Sequence, residues 1–214
     1  MAYQRMEYNK KYSVYILLTD TGTLFTRMIK QFTSAPYNHA SLALDDELKY
    51  MYSFGRKQAK NPWTAGFVQE DVYEGTFRYF PNTRCVLLRL RVTRKQRDAI
   101  AQFIRTVQQD RHAYRYNLIG LLGVLFKVRL QRKKAYFCSQ FVAEALASAG
   151  ISLKGLMPIL ATPDDFLRHP AFELVYEGSL YEYPMLDKSR LPYPMLDDEY
   201  GVTMEPFQGI RYMG

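Results

Sequence analysis

Tyr12–Leu18 (YSVYILL) carries no charge and is built from aromatic, β-branched and aliphatic side chains. That composition reads as a buried strand, and a buried strand needs sheet neighbours and covering elements. Thr19–Gly22 breaks the run. Thr23–Phe32 (TLFTRMIKQF) then places Leu24, Phe25, Met28, Ile29 and Phe32 at the spacing of one helical face. After a loop over Thr33–Asn38, His39–Leu44 (HASLAL) and Leu48–Phe54 (LKYMYSF) flank the acidic turn Asp45-Asp46-Glu47, which predicts a hairpin. Gly55–Pro81, with Trp63, reads as loop-rich. Cys85–Val92 (CVLLRLRV) reads as a strand, with Arg89 and Arg91 alternating with apolar neighbours.

Helices are expected further on. Thr93 is a good N-cap for a helix from Arg94 to about Gln109, with Ala99, Ile100, Phe103, Ile104 and Val107 on one face. Asn117–Val128 (NLIGLLGVLFKV) is a second, very apolar candidate; its Gly120 and Gly123 sit among aliphatics and make no phosphate loop. Cys138–Ala149 is a third, closed by Gly150. Thr162-Pro163-Asp164-Asp165 has the form of a helix start, with Pro at the first position and acids in the first turn. Phe172–Tyr176 reads as a last strand. The whole predicts an α+β fold, an antiparallel sheet packed against helices, over residues 1–181.

Residues 182–214 differ in character. Tyr183-Pro-Met-Leu-Asp187 recurs as Tyr193-Pro-Met-Leu-Asp197, and Pro184, Pro192 and Pro194 oppose regular structure. Two copies are too few for a solenoid. This part is expected to be an extended arm outside the folded core. It is either disordered or docked through its aromatics on its own or a neighbouring subunit, a route to an oligomer.

Hydrophobic content of 48% and aromatic content of 15% in 214 residues exclude a disordered chain and suit one well-cored domain. Two cysteines cannot build a disulfide framework, and Cys/His pairs at metal spacing are missing, so neither metal nor cofactor is expected. The N-terminus has no apolar stretch of secretory type and no segment reaches membrane-spanning length, so a cytoplasmic, reducing location is expected. The net charge of +8 implies an acidic partner. The basic residues are scattered except for Arg129, Arg132, Lys133 and Lys134, which follow an apolar segment. That suits peripheral contact with an anionic membrane better than nucleic acid.

The chemistry centres on Cys138, in RKKAYFCSQFVAEALASAG (Arg132–Gly150). A cysteine that opens a helix meets the positive end of the helix dipole and unpaired N–H groups, both of which favour thiolate. A small buried residue is the plain alternative, and Cys85, inside a strand, is assigned to the core on that ground. Of the three histidines, His39 opens a strand, whereas His112 and His169 read as loop residues. A strand orients an imidazole better than a loop does, which makes His39 the candidate base.

The order of these motifs resembles a known family. A histidine opening HASLAL, a hairpin, and about a hundred residues later FCSQFV resemble the circularly permuted branch of the NlpC-type papain-like hydrolases. That branch includes the YiiX/YebB-like and lecithin:retinol acyltransferase-like proteins. In unpermuted members a DCSGF-like helix precedes an HVGIY-like strand; here the order is reversed. The resemblance covers roughly Tyr12 to Leu180. It implies Cys138 as nucleophile, His39 as base and a third polar residue on the strand after the histidine strand. Matching the hairpin gives Tyr52 or Ser53 for that place, and alternation allows only one of them. Neither is a usual residue for the role. Tyr136 and the Cys138 backbone N–H are candidate oxyanion donors, and a ring packed beside the helix start is the other reading of Tyr136.

Thiol chemistry of this kind attacks a carbonyl through an acyl-enzyme. The acyl substrate is a cell-wall peptide amide, a lipid ester or amide, or a protein or isopeptide bond. Leu118–Lys134 (LIGLLGVLFKVRLQRKK), apolar and then basic, has the composition of an interfacial contact and equally that of a core helix with a basic turn. A non-catalytic binding module on a hydrolase scaffold is the remaining alternative.

Overall fold

The charge-free run becomes β1 (Tyr12–Asp20), flanked in its sheet by β2 (His39–Ala43) and β5 (Arg84–Val92). The computed structural model describes residues 12–21, 36–58, 61–111, 115–116 and 135–191. With β3 (Met51–Gln58), β4 (Asn61–Glu70) and β8 (Glu173–Ser179), these strands form a six-stranded sheet, ordered β4-β3-β2-β1-β5-β8 and antiparallel throughout. A separate parallel pair joins β6 (Arg115–Tyr116) to β7 (Ala135–Tyr136). Helices α1 (Gly75–Tyr79), α2 (Arg94–Gln109), α3 (Cys138–Ser148) and α4 (Pro163–Arg168) are the described α-helices, joined by short 3-10 turns. The expected α+β architecture, an antiparallel sheet with helices, is what the chain forms.

β1 is covered on both faces because its side chains are apolar on both. Val14, Ile16 and Leu18 join Leu42 and Phe54 beneath Ile104 of α2, Phe141 of α3 and Phe166 of α4. Tyr15 and Leu17 join Ala43, Met51 and Phe77 on the other face. Full burial of such a side chain stabilises by about 1.5–3 kcal/mol.

The β2–β3 hairpin forms as expected, but β3 begins at Met51 rather than Leu48. The Asp45 carboxylate accepts from the backbone N–H groups of Lys49 and Tyr50, each at 2.9 Å, and Leu48 takes a left-handed φ of 58°. Those residues belong to the turn. Gly55–Pro81 departs further from expectation: it holds the end of β3, all of β4 and α1. Gly55 faces Gly66 across the pairing, and both lower strand propensity. Pairing with β3 overrides that weakness.

Helix ends follow their sequence signals. Thr93 and Gln96 form a reciprocal capping box on α2, and Thr162 and Asp165 form one on α4. Gly150, at φ 70°, ends α3 in a Schellman turn: its N–H donates to Ala147 and that of Ile151 to Leu146. Asp164 pairs with Arg168 at 2.6 Å, so the two acids serve their helix. The expected helices Thr23–Phe32 and Asn117–Val128, the basic cluster from Arg129 to Lys134 and His112 lie outside the described residues.

Of the two courses left open for the chain beyond 181, the described part docks on its own chain. It continues through two short 3-10 turns, Leu180–Glu182 and Lys188–Arg190, and covers the second face. Tyr183, Leu186 and Leu191 are buried there with Leu180 and Tyr181. The first Tyr-Pro-Met-Leu-Asp copy is therefore part of the core packing, and its aromatic and aliphatic side chains explain why. The second copy lies outside the described residues.

Candidate functional site

Cys138 is the first residue of α3, and Phe137 before it is extended, at φ −106° and ψ 170°. The helix start is fastened by Ser139, whose Oγ donates to the Ala161 carbonyl at 2.7 Å. Backbone N–H groups in the first turn of a helix have no intrahelical acceptor. The sulfur accepts from the N–H groups of Ser139 and Ala40. The β2–β3 ladder covers only Leu42↔Tyr52 and Ala43↔Met51, which releases Ala40 from cross-strand pairing with β3.

His39 opens β2 and hydrogen-bonds the Cys138 side chain. Its Nε2 lies 2.8 Å from Glu70 Oε1. Glu70 closes β4. Its Oε1 also accepts from Ser53 Oγ at 2.7 Å, and its Oε2 accepts from Ser41 Oγ. Ser41 is two residues beyond His39 on β2 and shares its face. Three strands and one helix thus converge on a continuous chain from sulfur to imidazole to carboxylate.

The electrostatics agree at each link. Burial opposes charge on the Cys138 thiol, but the hydrogen bond and charge of His39, with the Ala40 and Ser139 N–H groups, hold the thiol below its usual value. Burial also opposes charge on His39; the Glu70 carboxylate, then the hydrogen bonds to Cys138 and Glu70, raise it to about 10. Glu70 is likewise opposed by burial and is lowered by His39, Ser41 and Ser53. The favoured state is a thiolate beside an imidazolium beside a carboxylate. Cys138 is 6% exposed, while the His39 and Glu70 side chains keep 22% and 13% of their surface. The site opens at the imidazole.

The sequence-predicted pair Cys138 and His39 is brought together. The expected third position is corrected: Glu70, and neither Tyr52 nor Ser53, meets the imidazole. The Tyr52 ring is turned into the core and stacks on Phe67 at 6.1 Å between centroids. Ser53, on the opposite face of the same strand, donates to Glu70. Sequence reasoning missed Glu70 because its strand was read as loop; the available signal was an acid closing the apolar pair Phe67-Val68. The Tyr136 ring packs edge-on against Phe54 at 5.3 Å. Cys85 is buried in β5, its thiol pushed up to about 12 mainly by burial. His169 is a turn residue whose Nδ1 accepts from the Ala171 N–H at 3.1 Å.

Among the described residues, no cluster of His, Cys, Asp or Glu is arranged to hold a metal ion, and no helix is long and apolar enough to cross a membrane. Comparison with protein-family models, curated proteins and solved structures gives no significant match.

Proposed function

We propose that this chain is a cysteine-dependent hydrolase or acyltransferase in which Cys138 is the nucleophile, His39 the proton carrier and Glu70 the residue that orients and charges the imidazole. The observation that carries the reading is the unbroken contact chain Cys138–His39–Glu70, with the sulfur at a helix start. The order of elements, a histidine hairpin before the cysteine helix, fits the circularly permuted NlpC-type papain-like fold, and that assignment belongs to the same proposal.

The thiolate attacks an ester or amide carbonyl carbon, a C–S bond forms, and the carbonyl electron pair moves to oxygen. The Cys138 backbone N–H, a first-turn donor without an acceptor inside its own helix, is the proposed donor to that oxyanion. The imidazolium gives its proton to the leaving nitrogen or oxygen as the C–N or C–O bond breaks, leaving a thioester. Neutral His39 then takes a proton from water or another acceptor, which attacks the thioester and releases the thiolate. In this account His39 already holds the proton before substrate arrives. Tyr136 is kept as a second oxyanion donor, separable by Tyr136→Phe.

The acyl group is a lipid or a peptide one. A lipid substrate accords with Leu118–Lys134 as an interfacial contact, and a cell-wall peptide amide accords with the NlpC resemblance. A reducing cytoplasmic location, peripheral to an anionic membrane, keeps the thiol usable. The deciding experiment offers lipid-ester, lipid-amide and peptide-amide donors and seeks the acyl group on Cys138 by mass spectrometry. Acylation that requires His39 and Glu70 supports the enzyme and names the class. No adduct from any donor, with Cys138 no more reactive than an ordinary thiol, returns the chain to a binding module.

A further inference from the structure

Glu70 is followed by a turn whose next three residues are each held by the C-terminal segment. Arg190 Nη2 donates to Asp71 Oδ2 at 3.1 Å. The Tyr181 hydroxyl donates to the Val72 carbonyl at 2.9 Å, in a buried contact. The Tyr73 hydroxyl accepts from the Asp187 N–H at 2.6 Å, and the Arg190 guanidinium lies 4.0 Å above the Tyr73 ring. β4 is the edge strand of the sheet, laddered to β3 alone. The end of β4 that bears Glu70 is thus tied down by residues 181–190.

We propose that the segment 180–191 is a positioning element of the site: by holding Asp71, Val72 and Tyr73 it fixes the end of β4, and with it the Glu70 carboxylate against His39. This rests on reading Cys138, His39 and Glu70 as the reacting chain. The ion pair Arg190–Asp71 is half exposed on both sides, and such pairs add little to stability. Its effect is on geometry, where a displacement of about 1 Å in a catalytic constellation costs roughly a hundredfold in rate.

The repeat acquires a meaning from this contact. Tyr183-Pro-Met-Leu-Asp187 supplies buried Tyr183 and Leu186 and the N–H that reaches Tyr73. The copy at Tyr193–Asp197 has the same five residues, but Asp198-Glu199-Tyr200 stand where the first copy has Lys188-Ser189-Arg190. The cation that pairs with Asp71 belongs to the first copy alone. In the same register the second would bring acids toward Asp71.

The test measures alkylation of Cys138 by iodoacetamide across acid to neutral pH in the full chain, with the site of labelling mapped by mass spectrometry. The groups that face the reacting chain are His39 from β2, Glu70 from β4 and Cys138 from α3, with Asp71 and Arg190 at its outer end. Tyr73→Phe combined with Arg190→Ala is expected to slow labelling roughly tenfold or more. It should also move the profile to higher pH, as Glu70→Gln does, with little change in melting temperature. Arg190→Lys should recover part of the loss. If the double variant fails to fold, Tyr73→Phe alone, which removes one oxygen, is read in its place. A profile matching that of the unaltered chain, while Glu70→Gln shifts it, overturns the positioning role and leaves the site standing. An unaltered chain whose Cys138 labels like an ordinary thiol overturns both.

Discussion

Gly55 lies directly against His39: a Cβ at position 55 would sit 3.2 Å from the imidazole Cε1 and 3.1 Å from Ser53 Oγ. Neither neighbour is loose, since His39 and Ser53 are bound to the same Glu70 oxygen at 2.8 and 2.7 Å. Gly55→Ala must therefore displace one of them by a few tenths of an ångström. The expected result is a sharp fall in Cys138 reactivity with a stability change of about 1 kcal/mol or less, typical of a small substitution. Thermal melting beside initial labelling rates separates the two effects. An alanine variant that reacts normally would show that the imidazole does not need its present position.

The charged chain has a pH window with two edges. His39, raised from 6.5 to about 10, contributes stability that is complete below its unfolded value and lost as pH climbs through about 10. Glu70, lowered from 4.5, contributes stability present above that value and lost as pH falls through its depressed one. Cys138, lowered from 9.0, stays thiolate down to a pH where an ordinary cysteine is protonated. Alkylation is expected to be fast and nearly flat near neutrality, falling on the acid side. His39→Ala should restore an ordinary thiol profile that rises only toward alkaline pH. A rate in the unaltered chain that climbs steadily through pH 8 to 9, as about 8.5 for a free thiol dictates, would contradict the ion pair.

The two cysteines should separate by phenotype. Cys85 is 1% exposed inside β5 and its thiol is held protonated, so Cys85→Ala should cost about 1–3 kcal/mol, the range of core changes, and spare Cys138 labelling. Cys138→Ala should abolish acyl capture and keep the melting profile close to that of the unaltered chain. Denaturant melts with labelling of each variant check both halves. Exchanged phenotypes would assign the chemistry to the wrong sulfur.

How much of this was legible follows from what each residue's signal consists of. Cys138 and His39 could be picked out because each sits at an element boundary that the local sequence announces: an apolar helix closed by Gly150 and a strand beside an acidic turn. Glu70 could not. Its strand contains Pro62 and Gly66, and it is held by pairing with its hairpin partner β3, a cross-strand relationship that single-strand propensity does not carry. Tyr52 and Ser53 were sought on the strand after the histidine strand, whereas the carboxylate reaches the imidazole from the strand beyond it. The course of the C-terminal region could not be decided for a related reason. Prolines exclude regular structure but do not exclude burial, and Tyr183 and Leu186 are buried in an irregular path.

The hold that Tyr181, Asp187 and Arg190 have on the turn after Glu70 spans 109, 114 and 119 residues of chain. Contacts so far apart in sequence must first meet a large loop-closure cost. During synthesis the imidazole exists from residue 39 and the carboxylate from residue 70, while the sulfur follows only at 138 and the segment that fixes the carboxylate only beyond 180. A growing chain therefore carries the parts of a reactive thiol without their arrangement. On the proposed reading, Cys138 on such a chain would behave as an ordinary cysteine, and its reactivity would be a property of the closed fold, complete once residues 180–191 pack against the sheet.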